Sequence, residues 1–137
     1  MTVSFHDSVD DELLKYVVII AKYKGRFLYC KHKERSTYEI PGGKRKRFET
    51  IEDAARRELY EETGAKKYSL IPVCVYSVKD GEKLTYGMLY VADVEHLGEK
   101  PKSEIERIFF LDAHPENQTY PEIQPKLIKE ASKRYLI

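Results

Sequence analysis

Charge of one sign is what this chain most lacks. Lys plus Arg number 24 and Asp plus Glu 23, a formal net charge of +1, so no global field favours a nucleic-acid polymer, and DNA is not expected as a partner. Cysteine is scarce. Cys30 and Cys74 lie in apolar, strand-like runs and at no redox or zinc spacing, which fits reduced, buried thiols in a cytoplasmic protein. The histidines, His6, His32, His96 and His114, are scattered without ligand spacing and argue against zinc. Long hydrophobic runs are missing as well: MTVSFHDSVDDELLKY at the start has no basic segment followed by an apolar one, and no run approaches membrane-spanning length, so no association with a membrane is expected. No fixed-period repeat or low-complexity tract appears, and the length suits one domain, residues 1–137, with a continuous core, as a monomer or homodimer.

What is present is alternation between short β-branched runs and two helical patterns. Residues 17–21 and 27–30 flank Lys24-Gly25 and read as a hairpin. Residues 37–40 form a short strand candidate that ends at Pro41-Gly42-Gly43, where glycines let the backbone approach a ligand closely. Thr50 is placed to cap a helix, with Asp53 as the acidic partner of a capping box and Gly64 as its terminator. Residues 73–79 and 84–91 flank Asp80-Gly81 as a second hairpin, and residues 108–111 add a short strand. Residues 121–135 carry Ile123, Leu127, Ile128, Ala131 and Tyr135 at helical spacing. The pattern predicts an α+β fold with a mixed sheet and two main helices.

Within the first helix, Ile51, Ala54, Ala55 and Leu59 define the face toward the sheet, and Glu52, Arg56 and Tyr60 point outward. Glu58, Glu61 and Glu62 rise from one side, three and four residues apart. Glu58 and Glu62 point close to the protein-facing direction, where unpaired carboxylates would be prohibitive unless they border water, a basic partner or a metal. A hard cation such as Mg2+ reverses their repulsion, because it takes oxygen ligands and keeps waters for substrate phosphates. The basic run Lys44-Arg45-Lys46-Arg47 reads either as a solvated loop or as a phosphate-steering element.

The segment from Gly43 to Ala65 resembles the signature of the Nudix hydrolase superfamily: Gly43, Glu49, Arg57, Glu58, Leu59, Glu61, Glu62 and Gly64 fall in register. Phe48 departs from the pattern, since many relatives have a glycine there. The resemblance implies an α/β/α sandwich. It also implies water attack on a phosphorus of a nucleoside diphosphate linked to a variable group, with Mg2+ or Mn2+ as cofactor. Carried over, Glu58 and Glu62 are the main metal ligands, with the Gly42 carbonyl as another. Glu61 is a further ligand or the group that deprotonates water, and Arg57 with Glu49 fixes the metal-binding glutamates. For Arg57 a plain surface pairing with Glu61 describes much the same geometry.

A distal glutamate often completes such sites, and Glu104 is the candidate, followed by Glu99 and Glu106; all three also read as solvated loop charges. Base recognition needs an aromatic or apolar plate with a few directed hydrogen bonds, for which Tyr38, Tyr76, Tyr86 and Phe5 are candidates alongside packing roles. Lys44 is the candidate for phosphate. In relatives that clean oxidised guanine nucleotides an asparagine reads the purine edge, a role open to Asn117, which is equally a turn residue. The expected activity is hydrolysis of a nucleoside triphosphate, such as 8-oxo-dGTP, to monophosphate and pyrophosphate, resembling the bacterial MutT type. Alternatives are ADP-ribose, a dinucleoside polyphosphate or the 5′ end of RNA, and a non-catalytic nucleotide sensor on the same fold.

Overall fold

The run Val17-Val18-Ile19-Ile20 is buried on every residue, and its period-2 geometry sends alternate side chains to two separate cores. In the computed structural model, which describes residues 1–135, that run lies in the second of seven strands. They are β1 (Thr2–His6), β2 (Leu14–Tyr23), β3 (Arg26–His32), β4 (Gly42–Lys44), β5 (Ala65–Asp80), β6 (Lys83–Leu97) and β7 (Ile105–Leu111). Helix α1 (Ile51–Thr63) follows β4, and α2 (Gln124–Arg134) follows β7. The seven strands form one sheet, six in the order β1-β5-β6-β2-β3-β7 and β4 paired with β2 off that path. The β2–β6 pair is parallel and the others are antiparallel, so the sheet is mixed.

Val17, Ile19 and Ala21 face one way and pack with Ala54, Ala55 and Leu59 of α1. Val18 and Ile20 face the other way and pack with Leu127, Ile128 and Ala131 of α2. The result is the helix–sheet–helix sandwich expected. Ala54 and Ala55 are fully buried, and their small side chains bring the axis of α1 close to the sheet. No helix among the described residues is long and apolar enough to cross a membrane.

Several local expectations change. Residues 37–40 make only isolated bridges, Cys30 to Glu39 and Tyr38 to Gln118; the strand proper begins at Gly42. Pro41 has no N–H to donate, so a ladder cannot continue through it on both sides. The hairpin after β5 turns on Gly81 and Glu82, since Asp80 pairs directly with Lys83, and both of its strands run well beyond the expected ends. Pro72 is tolerated inside β5 because the β1 ladder reaches only Val75 and the register shifts between Pro72 and Cys74. The last helix starts at Gln124, three residues later than the expected Pro121, and ends before Tyr135.

Both ends of α1 follow the sequence. Thr50 Oγ1 accepts the Asp53 N–H at 3.0 Å, and Gly64 closes the helix at φ 80°, its N–H donating to Tyr60 O at 2.8 Å. The Gly64 carbonyl accepts the Gly98 N–H at 2.8 Å, which ties the end of the helix to the end of β6. A methyl on Gly64 would meet Gly98 O at 2.7 Å in a backbone conformation L-residues resist. Gly64→Ala is therefore expected to cost about 1–2 kcal/mol and to lower the urea midpoint; an unchanged midpoint would show that this cap does not hold the helix.

Candidate active site

Strand β4 is short but two-sided. The Ile19 N–H donates to Pro41 O and the Arg45 N–H to Lys15 O, each at 2.8 Å, so by ladder parity residues 41, 43 and 45 face β2 while Gly42 and Lys44 turn their polar groups away from it. Those free groups meet α1. The Gly42 N–H donates to Glu62 Oε1 at 2.7 Å, and Lys44 O accepts from Arg57 Nη2 at 3.0 Å. Glycine is required here for room: a methyl on Gly42 would strike the Val17 carbonyl, and one on Gly43 would fall on the Glu58 carboxylate.

Arg57 cross-links the helix to the loop before it. Its Nε and Nη2 donate to the two carboxylate oxygens of Glu49 at 2.6 and 2.9 Å, a bidentate pair, and Nη1 donates to Glu58 Oε1 at 2.5 Å. Glu61 lies further off, 3.5 Å from Nη1, so the surface pairing is the weakest of these contacts. The Arg57 hydrogen bonds hold the Glu49 carboxyl down to about 2. Burial pushes Glu58 up despite the bond from Arg57, with the Glu61 charge adding to the effect. Glu62 rises well above the usual carboxylate range: burial is the main cause, opposed by the Gly42 N–H and reinforced by Glu58, Glu39 and Glu61.

The intervening loop is pinned. Arg45 donates through Nε to Glu49 O at 2.8 Å and through Nη2 to Asp11 Oδ2 at 2.9 Å, and the Lys46 N–H donates to Glu49 Oε1 at 2.8 Å. Phe48 holds φ 69°, the left-handed region that glycine takes freely, and its ring is 94% exposed with the Arg47 guanidinium 5.0 Å from its centroid.

Two adjoining cavities lie along this strand. One, of about 470 Å³, is lined by Glu58, Glu62, Glu39 and Glu104 together with Lys44 and Lys46. The other, of about 370 Å³, is walled by Val18, Ile40, Tyr76, Val78 and Ile123, with Gln124 among them. Glu39, Gly42, Gly43, Lys44 and Tyr120 border both.

Of the expected residues, Glu58, Glu62, Gly42, Lys44 and Glu104 meet at the first cavity, and Tyr76 lines the second. Glu104 is the distal glutamate that shares the cavity, with His32 Nε2 3.6 Å from its carboxylate. Glu106 instead pairs with Lys31 at 2.8 Å on the exposed face of β7, and Glu99 adjoins Gly64 at the far end of α1. Tyr38 packs edge-on against Tyr29 and Phe109, Phe5 packs on the core beneath α2, and Tyr86 lies against His6. Asn117 donates from Nδ2 to Ser36 O at 3.3 Å. These last four are not among the cavity-lining residues.

Glu39, Arg35, Tyr120 and Gln124 escaped the sequence reading. Arg35 Nη1 donates to Glu39 Oε2 at 3.1 Å and to the Tyr120 hydroxyl at 3.4 Å, closing a cluster at the junction of the cavities. Only Glu39 carried a signal, its place directly before Ile40-Pro41-Gly42.

No three His, Cys, Asp or Glu side chains among the described residues converge into a ready-made metal nest. The donors nevertheless suit a hard divalent ion. Glu58 and Glu62 share one water-accessible cavity, burial disfavours their bare charge, and few protein ligands leave positions for water and phosphate, as Mg2+ prefers.

A mixed sheet between two helices, with the Glu58 and Glu62 carboxylates of α1 set against the glycines of β4 at the edge of a polar cavity, defines an α+β sandwich. Residues 13–131 match the NUDIX domain family, and the chain belongs to it; divalent metal is that family's general cofactor. It is 40% identical over 94 residues to the Bacillus subtilis (strain 168) protein named "Putative 8-oxo-dGTP diphosphatase YtkD". That match covers 69% of this chain and 59% of the relative's length. A crystal structure of a variant of the Bacillus subtilis pyrophosphohydrolase BsRppH superposes with TM-score 0.82 at 30% identity, covering 97% of this chain and 90% of that one. A NUDIX hydrolase from Nitrosomonas europaea shares the fold, with TM-score 0.71 at 17% identity over 87% of this chain and 88% of its own.

The Glu49–Arg57 pair has a pH signature. A carboxylate whose folded pKa is lowered stabilises the native state above its unfolded value, and that contribution is lost as pH falls through the folded one. The window here runs from 4.5 down to about 2. Denaturant midpoints should fall across it, and Glu49→Gln should flatten that fall while lowering the midpoint at neutral pH. Superimposable acid limbs for the two proteins would refute the pairing.

Proposed function

We propose that this protein hydrolyses a phosphoanhydride bond of a nucleoside diphosphate linked to a further group, with a nucleoside triphosphate cleaved to the monophosphate and pyrophosphate as its reaction. The observation that carries this reading is the wall that the two cavities share. A carboxylate-lined space suited to cations and phosphates and an apolar space suited to a base are both bordered by Gly42, Gly43 and Lys44. The printed names of the relatives, an 8-oxo-dGTP diphosphatase and a pyrophosphohydrolase, support the reaction class and make 8-oxo-dGTP a leading substrate.

In this reading Glu58, Glu62 and the Gly42 carbonyl hold Mg2+ or Mn2+, with Glu104 reaching in from the loop before β7. The bound ion would polarise phosphoryl oxygens and acidify its water. Arg57, anchored by Glu49, favours the ionised form of Glu58 against the effect of burial and aims its carboxylate. Glu61 or Glu104 takes the proton of the attacking water, and Lys44 and Lys46 offset the charge of the phosphate chain. The protein's part is chiefly positioning and electrostatics, as phosphoryl transfer requires.

A second substrate, the 5′ end of RNA, is favoured by one observation. The basic run borders the carboxylate cavity, and the bare Phe48 ring beside it offers a stacking surface for a following nucleotide.

Pyrophosphate and orthophosphate release from canonical and oxidised triphosphates, ADP-ribose and 5′-triphosphorylated RNA tests the reading. Turnover should need Mg2+ or Mn2+, vanish with chelator and return on adding the ion. An RNA substrate would show a steep loss of kcat/KM with salt, which a mononucleotide would not. No turnover on any member, with nucleotide binding intact, overturns the enzymatic reading. Glu62→Gln should lower kcat by about a hundredfold or more with an unchanged circular dichroism spectrum; kcat within about twofold of the parent would remove Glu62 from the machinery.

A further inference from the structure

The basic run Lys44-Arg45-Lys46-Arg47 is not uniform. Arg45 borders the carboxylate cavity, but its side chain is only 16% exposed and its guanidinium is committed to the chain. Nη1 donates to Asp11 O at 2.9 Å and to Leu14 O at 3.3 Å, Nη2 to Asp11 Oδ2 at 2.9 Å, and Nε to Glu49 O at 2.8 Å. Little of its donor capacity is left for a phosphate. The side chain instead ties the 3-10 turn Asp11–Leu13 and the start of β2 to the far end of the loop after β4.

That loop needs holding. The Glu49 N–H donates to Lys46 O at 3.2 Å, which makes Phe48 the third residue of a four-residue turn, where a positive φ favours glycine. Phe48 adopts φ 69° nonetheless, and its ring is 94% exposed, so core packing does not keep it there. Strain of this kind persists only where the surroundings over-determine the backbone. Two bonds on the next residue do so: Arg45 Nε on the Glu49 carbonyl, and the Lys46 N–H on Glu49 Oε1 at 2.8 Å. Glu49 then takes Arg57 through both carboxylate oxygens, and Arg57 donates to Glu58.

We infer that Arg45 is a positioning residue: clamped to Asp11 and Leu14, it holds the strained turn at Phe48 so that Glu49, and through it Arg57, sets Glu58 for a divalent cation. The inference rests on the cation reading of the site given above. Arg45 touches neither cation nor substrate in this role. Lysine would not replace it, because a single ammonium lacks the fork that spans Asp11, Leu14 and Glu49 together.

The test is Mn2+ binding to the substrate-free protein, read from the electron paramagnetic resonance of the free ion, with urea unfolding beside it. Arg45→Ala should weaken Mn2+ about tenfold, the scale for residues that orient metal ligands, with an unchanged circular dichroism spectrum, and Arg45→Lys should not restore it. Glycine adopts a positive φ freely, so in a Phe48→Gly background the loss caused by Arg45→Ala should shrink to about threefold or less. A merely structural role would lower the urea midpoint alike in both backgrounds and leave the Mn2+ affinity of the folded protein as it was. Equal affinity in the parent and Arg45→Ala overturns the inference, as does a loss that Phe48→Gly does not reduce. If Arg45→Ala alone does not fold, the double variant decides. Folding restored, with Mn2+ held within about threefold of Phe48→Gly, supports the inference; a double variant that stays unfolded shows that Arg45 holds the fold at large and overturns it. A parent that binds no Mn2+ would sink the cation reading itself, whereas Mn2+ bound equally by parent and variant sinks the Arg45 assignment alone.

Discussion

Three carboxylates, Glu58, Glu61 and Glu62, crowd one side of α1, and the guanidinium of Arg57 is what lets them stand there: it grips Glu49 with two nitrogens, donates to Glu58 and takes the Lys44 carbonyl as well. Removing it would leave Glu58 both buried and repelled. It would also release the loop that carries residues 44–49, because Glu49 is the loop's anchor to the helix. One residue thus holds charge balance and backbone geometry together, which lysine, a point charge without the planar fork, would do poorly. Glu62 relies instead on a backbone amide, that of Gly42. This leaves it the more strongly destabilised of the two as a bare anion and therefore the one with more to gain from a cation.

The glycines of β4 serve that arrangement sterically. Parity directs the Gly42 amide at α1, and the absent side chain at Gly43 is the space the Glu58 carboxylate occupies. A strand of three residues would be negligible as a source of stability. Its value is that β2 holds one edge rigidly while the other edge offers fixed dipoles to the helix.

The sequence made legible the parts governed by local rules. The β-branched run, the Thr50 cap, the Gly64 terminator and the buried alanine face all follow from spacing, and each is found. The signature spacing placed Glu58 and Glu62 on one wall of a cavity because helical periodicity leaves little freedom. Where tertiary contacts decide, the sequence was mute. Residues 37–40 look like a strand, but among the described residues their strand pairing is limited to the single bridges at Tyr38 and Glu39. Gln124 looked like an ordinary polar residue beside a proline, because its orientation is set by the amide of Ile40, 84 positions earlier. Arg35, Glu39 and Tyr120 meet only after the loop behind β7 folds back across the sheet. Phe48 marks a limit of another kind, since φ 69° is imposed on it by loop anchors on both sides and not chosen by the residue itself.

The two ends of the cleft are mechanically joined. The Ile40 N–H binds Gln124 and the Gly42 N–H binds Glu62, so α2 and α1 hold amides two positions apart, with Pro41 stiffening the peptide between them. The Pro41 carbonyl is in turn pinned by the Ile19 N–H in the middle of the sheet. Helices α1 and α2 therefore grip one short, rigid segment from its two faces. Preorganisation of that kind lowers the ordering cost of binding.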